Sequence, residues 1–258
     1  MAPPALRPLS VGEILDVSFT LYRRHFVPLA AVALVCSGVP VLLNMFIQAS
    51  GGVLQNLPLV LVYYVVFAAL SAIATAATVF IVSESYLGRP IDAGTAMRRA
   101  APYIMKILVC SVLTAIVVFL GFLFFVIPGI ILVVGLILAV PALVIEPQLG
   151  SGAALSRSWE LTRGSRWRIF GLLLVVVILL YIPIAAIGGL MAVFVPGAGS
   201  FLTSPSVTVS VVAVAIGGLV QIFIYPLFYC VLTVAYYDLR VRKEGFDLEL
   251  LASTLLTA

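Results

Sequence analysis

The chain has 258 residues, 64% of them apolar and only 9% charged, with a formal net charge of +4. An average soluble domain is about half apolar and about a quarter charged, so this chain holds too little charge to cover a soluble surface. The composition excludes a soluble globular enzyme, a disordered chain and a nucleic-acid binder, and it points to an all-α integral membrane protein forming a single domain over 1–258.

Six apolar stretches follow in chain order: 26–48, 57–82, 103–127, 130–145, 169–195 and 207–237. At ~1.5 Å rise per residue, five are long enough to cross a hydrocarbon core about 30 Å thick. The fourth reaches only ~24 Å and contains Pro141. The Pro128-Gly129 pair just before it reads as a tight turn, so the third and fourth stretches are expected to form a helical hairpin. Pro226 in the sixth predicts a kink or tilt. The first stretch follows Glu13, Asp16, Arg23 and Arg24, exceeds a signal-peptide core and lacks a small-x-small site, so it is expected to be a retained span. Cys36, Cys110 and Cys230 lie inside apolar runs without CxxC spacing and read as small apolar residues.

All 14 Lys and Arg residues fall before the first span, in 84–106, in 157–168, or in the tail from Arg240. The intervening connections, 49–56, 128–129 and 196–206, carry no charge. By the positive-inside rule, both termini and the two charged loops are expected to be cytoplasmic. An odd number of spans would break this alternation. The dominance of Arg over Lys suggests a bacterial source, hence a cytoplasmic (inner) membrane.

An internal repeat organises the chain. Arg7-Pro8-Leu9-Ser10-Val11-Gly12-Glu13-Ile14-Leu15 aligns with Arg89-Pro90-Ile91-Asp92-Ala93-Gly94-Thr95-Ala96-Met97, and more weakly with Pro147-Gln148-Leu149-Gly150-Ser151-Gly152-Ala153-Ala154-Leu155. Each copy opens a short basic helix that leads into two spans, giving units of about 7–82, 89–145 and 147–237 with a tail at 238–258. Ser10 and Asp92 suit N-caps, and Ser10 with Glu13 matches a capping box. The short helices are amphipathic and suit the membrane plane. In the first, Val11, Ile14, Leu15, Phe19 and Tyr22 are expected to share an apolar face. In the third, Ala154, Leu155, Trp159 and Leu161 are expected to face the boundary, with Trp159 and Trp167 at the interface.

The predicted spans hold almost no ionisable group. Lys106 lies one turn into the third and can snorkel to the edge. Proton-coupled carriers place carboxylates or His in mid-membrane, which weighs against proton-driven transport. Asn44, Gln48, Thr75, Thr78 and Gln221 read as helix-to-helix hydrogen-bonding groups, and the stripes Ala68/Ala72/Ala76 and Ala213/Gly217 as packing faces. A continuous polar cavity lined by Asn44, Gln48 and Gln221 would favour transport.

Three carboxylates end the even-numbered spans: Glu84, Glu146 and Asp238. They are expected at one rim beside Arg23, Arg24, Arg98, Arg99, Arg157, Arg163 and Arg240. Ion pairs pinning the short helices to the bundle are one reading; a cradle for an anionic headgroup or an acidic partner segment is the other. No metal site is expected from the lone His25, no cofactor is called for, and no phosphate loop, HExxH or GxSxG occurs. Gly197-Ala198-Gly199 lacks the setting of a dinucleotide loop.

Three polar motifs carry a family resemblance: 7–16 around Arg7-Pro8-Leu9-Ser10; 141–146, Pro-Ala-Leu-Val-Ile-Glu, followed by Arg157-Ser158-Trp159-Glu160-Leu161; and 236–247, beginning Tyr236-Tyr237-Asp238-Leu239-Arg240. Together they resemble the bacterial membrane-domain family named after glycerophosphoryl diester phosphodiesterases, over nearly the whole chain. The resemblance implies fold and location. In some members of that family a soluble phosphodiesterase domain follows the membrane domain; the resemblance covers the membrane part alone, so no catalytic residue carries over. The expected function is a non-enzymatic scaffold or accessory protein that contacts membrane lipids, anionic headgroups above all, or a protein partner at its cytoplasmic face. A transporter or channel for a lipid or small amphiphile is the alternative, and a membrane enzyme comes last.

Overall fold

Ser10 starts the first helix, α1 (Val11–Arg24), and the capping box is present: its Oγ accepts the Glu13 N–H at 3.2 Å and Glu13 accepts the Ser10 N–H at 2.6 Å. The computed structural model describes residues 7–194 and 207–246, and among them every regular element is helical. The chain continues through α2 (Phe26–Ala49), α3 (Leu57–Tyr86), α4 (Ala93–Ala100), a 3-10 turn, α5 (Ile104–Phe124), α6 (Val126–Leu136), α7 (Ala139–Ile145), α8 (Ser151–Thr162), α9 (Arg166–Phe194) and α10 (Val207–Glu244). The uncharged connection 196–206, with Gly197-Ala198-Gly199, and the tail beyond Phe246 lie outside the described residues. Six helical segments, with α6 and α7 counted together, are long and apolar enough to cross a membrane. The chain is therefore a multi-pass all-α bundle.

A short helix followed by two long antiparallel segments occurs three times: α1–α2–α3, α4–α5–α6/α7 and α8–α9–α10. The caps of the short helices share one backbone geometry. Ser10 (φ −71°, ψ 167°), Asp92 (φ −78°, ψ 162°) and Gly150 (φ −83°, ψ 165°) stand at the N-cap, and Gly12, Gly94 and Gly152 are each the second residue inside. Asp92 accepts the Thr95 N–H at 2.9 Å, whereas Gly150 has no side chain to offer.

The Pro128-Gly129 pair is not the expected turn. Both residues lie in the first turn of α6, where a proline's missing N–H is one that has no helical partner anyway. The break falls at Phe125, whose backbone is extended (φ −164°, ψ 158°). Gly129 instead permits close approach in the hairpin, since a Cβ there would stand 2.5 Å from the Phe122 ring. A second break separates α6 from α7. Pro141 cannot donate to the Ile137 carbonyl and crowds it. Two hydroxyls of α8 repair the gap: Ser158 Oγ accepts the Leu138 N–H at 3.2 Å and donates to the Gly135 carbonyl at 2.8 Å, and Thr162 Oγ1 donates to the same carbonyl at 3.2 Å. Helix α10, by contrast, runs unbroken across Pro226.

The short helices face inward more than their apolar periodicity predicts. Ile14 and Ser18 form the buried side of α1, while Phe19 is 39% exposed. Ser18 can be buried because its hydroxyl is satisfied by the Ile14 carbonyl at 2.6 Å. In α8, Ala154, Ser158, Leu161 and Thr162 are buried in the bundle, which places Ala154 and Leu161 against protein, not at the boundary. Trp159 packs beneath the Arg166 guanidinium, 3.7 Å from its ring centroid, while Trp167 is exposed as an interfacial residue would be.

Packing density differs between the two ends. Lipid tails are as apolar as leucine, so spans associate through close fit and small residues. Near the charged end Ala72, Ala76, Ala77 and Val79 of α3 share one buried cluster with Leu29 and Val32 of α2, while Tyr237 and Tyr236 of α10 are buried in two others. All three cysteines are buried. Helix α9 is seated through Ile169, Leu172 and Val176 but exposes Ile178, Tyr181 and Ile182 further along. Helix α10 packs most extensively on α2 and also meets α1, α3, α7, α8 and α9.

Candidate functional site

The charged groups form a linked rim at one end of the bundle. Glu84, at the end of α3, pairs with Arg99 of α4 at 3.2 Å and with Arg89 at 3.4 Å. Glu146, just after α7, pairs with Arg157 of α8 at 2.8 Å and accepts the Tyr236 hydroxyl. Asp238 of α10 reaches back to the start of the chain and accepts the Leu9 N–H at 2.7 Å. In each case the acid closing one helical unit holds the short helix of the next, and the third unit returns to the first.

Two of these links occupy matching positions. Arg99 and Arg157 are each the seventh residue of their helix. The corresponding residue of α1 is Val17, which has no charge, and Asp238 takes its cations elsewhere. Arg168 of α9 lies 2.5 Å from it and Arg242, one turn along α10, lies 3.1 Å away. Both arginines also donate to the Leu9 carbonyl, Arg242 at 2.6 Å. The Asp238 side chain is 1% exposed, so its charge is compensated by two guanidinium groups and a backbone N–H.

The remaining rim residues divide into held and exposed. Arg157 bridges Glu146 and Glu244, and Arg240 pairs with Glu244 at 3.1 Å and lies over the Phe246 ring. Arg23, Arg24, Arg98 and Arg163 are exposed, and no acidic side chain is paired with them among the described residues. Lys106 reaches the Pro147 carbonyl at 3.4 Å. Sequence reasoning missed Arg168, Arg242, Glu244 and Tyr236 as rim partners. The i,i+4 spacing of Asp238 and Arg242 was a readable signal; the contacts of Arg168 and Leu9 had none.

Helix entry also shapes the electrostatics. Hydrogen bonds from the Ser10 backbone and Arg7, with the Ser10 hydroxyl, lower the Glu13 carboxyl to about 2. The Thr95 hydroxyl and N–H hold Asp92 below its ordinary value. Burial lowers His25, which sits at the joint between α1 and α2.

A second feature lies in the half of the bundle away from the charged rim. A cavity of about 320 Å³ between α2, α3 and α10 is lined by Asn44, Tyr63, Ser71, Gln221 and Tyr225 among others. Asn44 donates to the Tyr63 hydroxyl and accepts from Gln48, each at 3.4 Å; Gln48 supports Asn44 and does not line the space. The arrangement therefore partly matches the polar cavity that the sequence suggested.

No curated protein and no solved structure matches the chain. A family described as "Domain of unknown function (DUF7847)" matches residues 93–239, from the start of α4 into the charged end of α10. That match covers more than half of the chain, and the chain belongs to this family.

Proposed function

We propose that this protein is a non-enzymatic scaffold or accessory protein of a bacterial cytoplasmic membrane, with both termini cytoplasmic. Its basic rim contacts anionic lipid headgroups or an acidic partner segment. One observation carries the reading. The rim carboxylates are taken up by internal ion pairs, while Arg23, Arg24, Arg98 and Arg163 face outward without an acidic partner among the described residues. Basic residues at a membrane surface contribute about 1 kcal/mol each toward anionic lipid. The resemblance to the phosphodiesterase-linked membrane domains belongs to this proposal as an indication of location.

The test is lipid retention. Native mass spectrometry of the purified protein, with Arg23, Arg24 and Arg98 all changed to Gln, should show clear loss of bound phosphatidylglycerol at unchanged helix content. Retention equal to wild type would remove the reading. Orientation is tested separately by Gly52→Cys. An impermeant maleimide should label it from outside the cell, against low background because the native cysteines are buried.

A second reading, a transporter or channel for a lipid or small amphiphile, is favoured by the cavity at Asn44 and Gln221. The packed layer of Leu29, Val32, Ala76, Ala77 and Val79 between that cavity and the rim weighs against an open channel.

A further inference from the structure

The cavity at Asn44 is one of three adjoining hollows that share wall residues. It shares Phe67, Ser71 and Tyr225 with a hollow of about 410 Å³ between α3, α5, α7 and α10. That one shares Ser111, Val140 and Tyr229 with a third, of about 300 Å³, between α5, α6, α7 and α10. Each falls within the range of small-ligand pockets, about 300–1,000 Å³. No charged side chain lines any of them.

The hollows differ in chemistry along their length. The first presents hydrogen-bonding groups that its walls leave open. Gln221 and Ser37 have no hydrogen-bond partner among the described residues, and both line the space. Pro40 also lines it and supplies no N–H to the Cys36 carbonyl one turn earlier. Within a membrane an unpaired polar group is costly unless water or a ligand meets it. The third hollow is largely apolar, with Val118, Val133, Leu136 and Phe228 in its wall.

We propose that the three adjoining hollows together form a binding site for a membrane amphiphile with an uncharged, hydroxyl-bearing head. The head lies between Ser37, Asn44 and Gln221, and an apolar chain extends past Tyr225 and Tyr229 toward Phe228. A charged head is disfavoured because the lining offers no counter-charge, and an unpaired ion in low dielectric is costly. A hydroxyl is required because the Gln221 amide oxygen, which lines the space without a partner, accepts and cannot donate, so a head with acceptors alone leaves it unmet. This inference rests on the cavity and not on the rim.

The test is photo-crosslinking in nanodiscs of phosphatidylcholine with a diazirine-bearing diacylglycerol. Labelling is expected on α2 and α10 at the residues lining the first hollow. Unlabelled diacylglycerol should compete, its 3-O-methyl ether should compete about fivefold less well for want of one hydrogen bond, and phosphatidate of the same chains should not compete. Gly217 lines the hollow, and a Cβ added there meets nothing within 4 Å. Gly217→Leu should therefore fill the space and abolish labelling while melting like wild type. If that variant does not fold, Gln221→Leu decides, with labelling expected to fall about fivefold. Equal competition by the methyl ether or by phosphatidate overturns the proposal. So does undiminished labelling in the Leu variant, which would mean that the hollow holds water. The Arg23, Arg24 and Arg98 variant should label normally, so the rim reading and this binding site fail separately.

Discussion

The Asp238 carboxylate accepts the backbone N–H of Leu9 at 2.7 Å, joining α10 to the residue before the cap of α1 across 229 positions of chain. Asp238 is buried, with Arg168 at 2.5 Å and Arg242 at 3.1 Å. Removing one partner of a buried pair leaves the others uncompensated, at a cost of ~3–5 kcal/mol. Asp238→Ala should therefore lower thermal stability in detergent markedly. Glu84→Ala, whose partners are half or more exposed, should cost only ~0–1 kcal/mol. Equal melting of the two variants would refute this ranking.

Ser158 carries the break between α6 and α7. Its hydroxyl meets both the Leu138 N–H and the Gly135 carbonyl, and it is fully buried. Ser158→Ala should cost about 1–3 kcal/mol, the penalty of a buried unmet donor. Ser156→Ala, on the exposed side of the same helix, should be close to neutral. Comparison of the two melting curves separates a repair role from helix propensity.

Adjacent glycines in α10 should behave oppositely. A Cβ at Gly218 would stand 2.5 Å from a Val41 methyl on α2, whereas Gly217 has open space. Gly218→Ala should destabilise by ~1–3 kcal/mol, the usual cost of overpacking. Gly217→Ala should leave the melting temperature unchanged or raise it. A melting temperature for Gly218→Ala at or above wild type would refute the close α2–α10 crossing.

The capping box of α1 predicts a pH response. Hydrogen bonds from Ser10 and Arg7 hold the Glu13 carboxyl at about 2, below its ordinary 4.5. A depressed carboxyl stabilises the folded state above its unfolded pKa and loses that contribution as pH falls through the folded value. Order in α1, read by amide exchange, should hold at pH 5 and decline between about 4.5 and 2. Glu13→Gln should flatten that decline. Ser10→Ala should cost ~1 kcal/mol at neutral pH, and a pH profile of Glu13→Gln identical to wild type would assign the transition to other carboxyls.

Six apolar runs and charge confined to alternate connections were enough to read the bundle, because length and hydropathy are properties of the chain itself. The short basic helices were legible from Ser10, Asp92 and the glycines that follow each cap. Even the Glu84–Arg99 and Glu146–Arg157 links had a trace, since Arg99 follows Gly94 at the spacing at which Arg157 follows Gly152. The hairpin break was misplaced because Pro128-Gly129 is equally at home in a helix's first turn, and the extended residue is Phe125, which carries no turn signal. The inward face of α8 was hidden because Ser158 and Thr162 count as polar until their carbonyl partner is known. The closure at Asp238 was invisible, since its partner is a backbone amide and Val17 stands where the repeat would have offered an arginine.

The central position of α10 has a consequence in time. It is synthesised after α1, α2 and α3, yet it is the one on which all three rest. Until it arrives, α2 and α3 have no neighbour for the faces that carry Val41 and Ser71, and Leu9 has no acid to bind. The spans made before it therefore wait in the bilayer as an incompletely packed set, and assembly is completed only when α10 has left the ribosome. Truncation ahead of Val207 should consequently yield an inserted but unassembled chain, open to the proteases that clear orphan membrane helices.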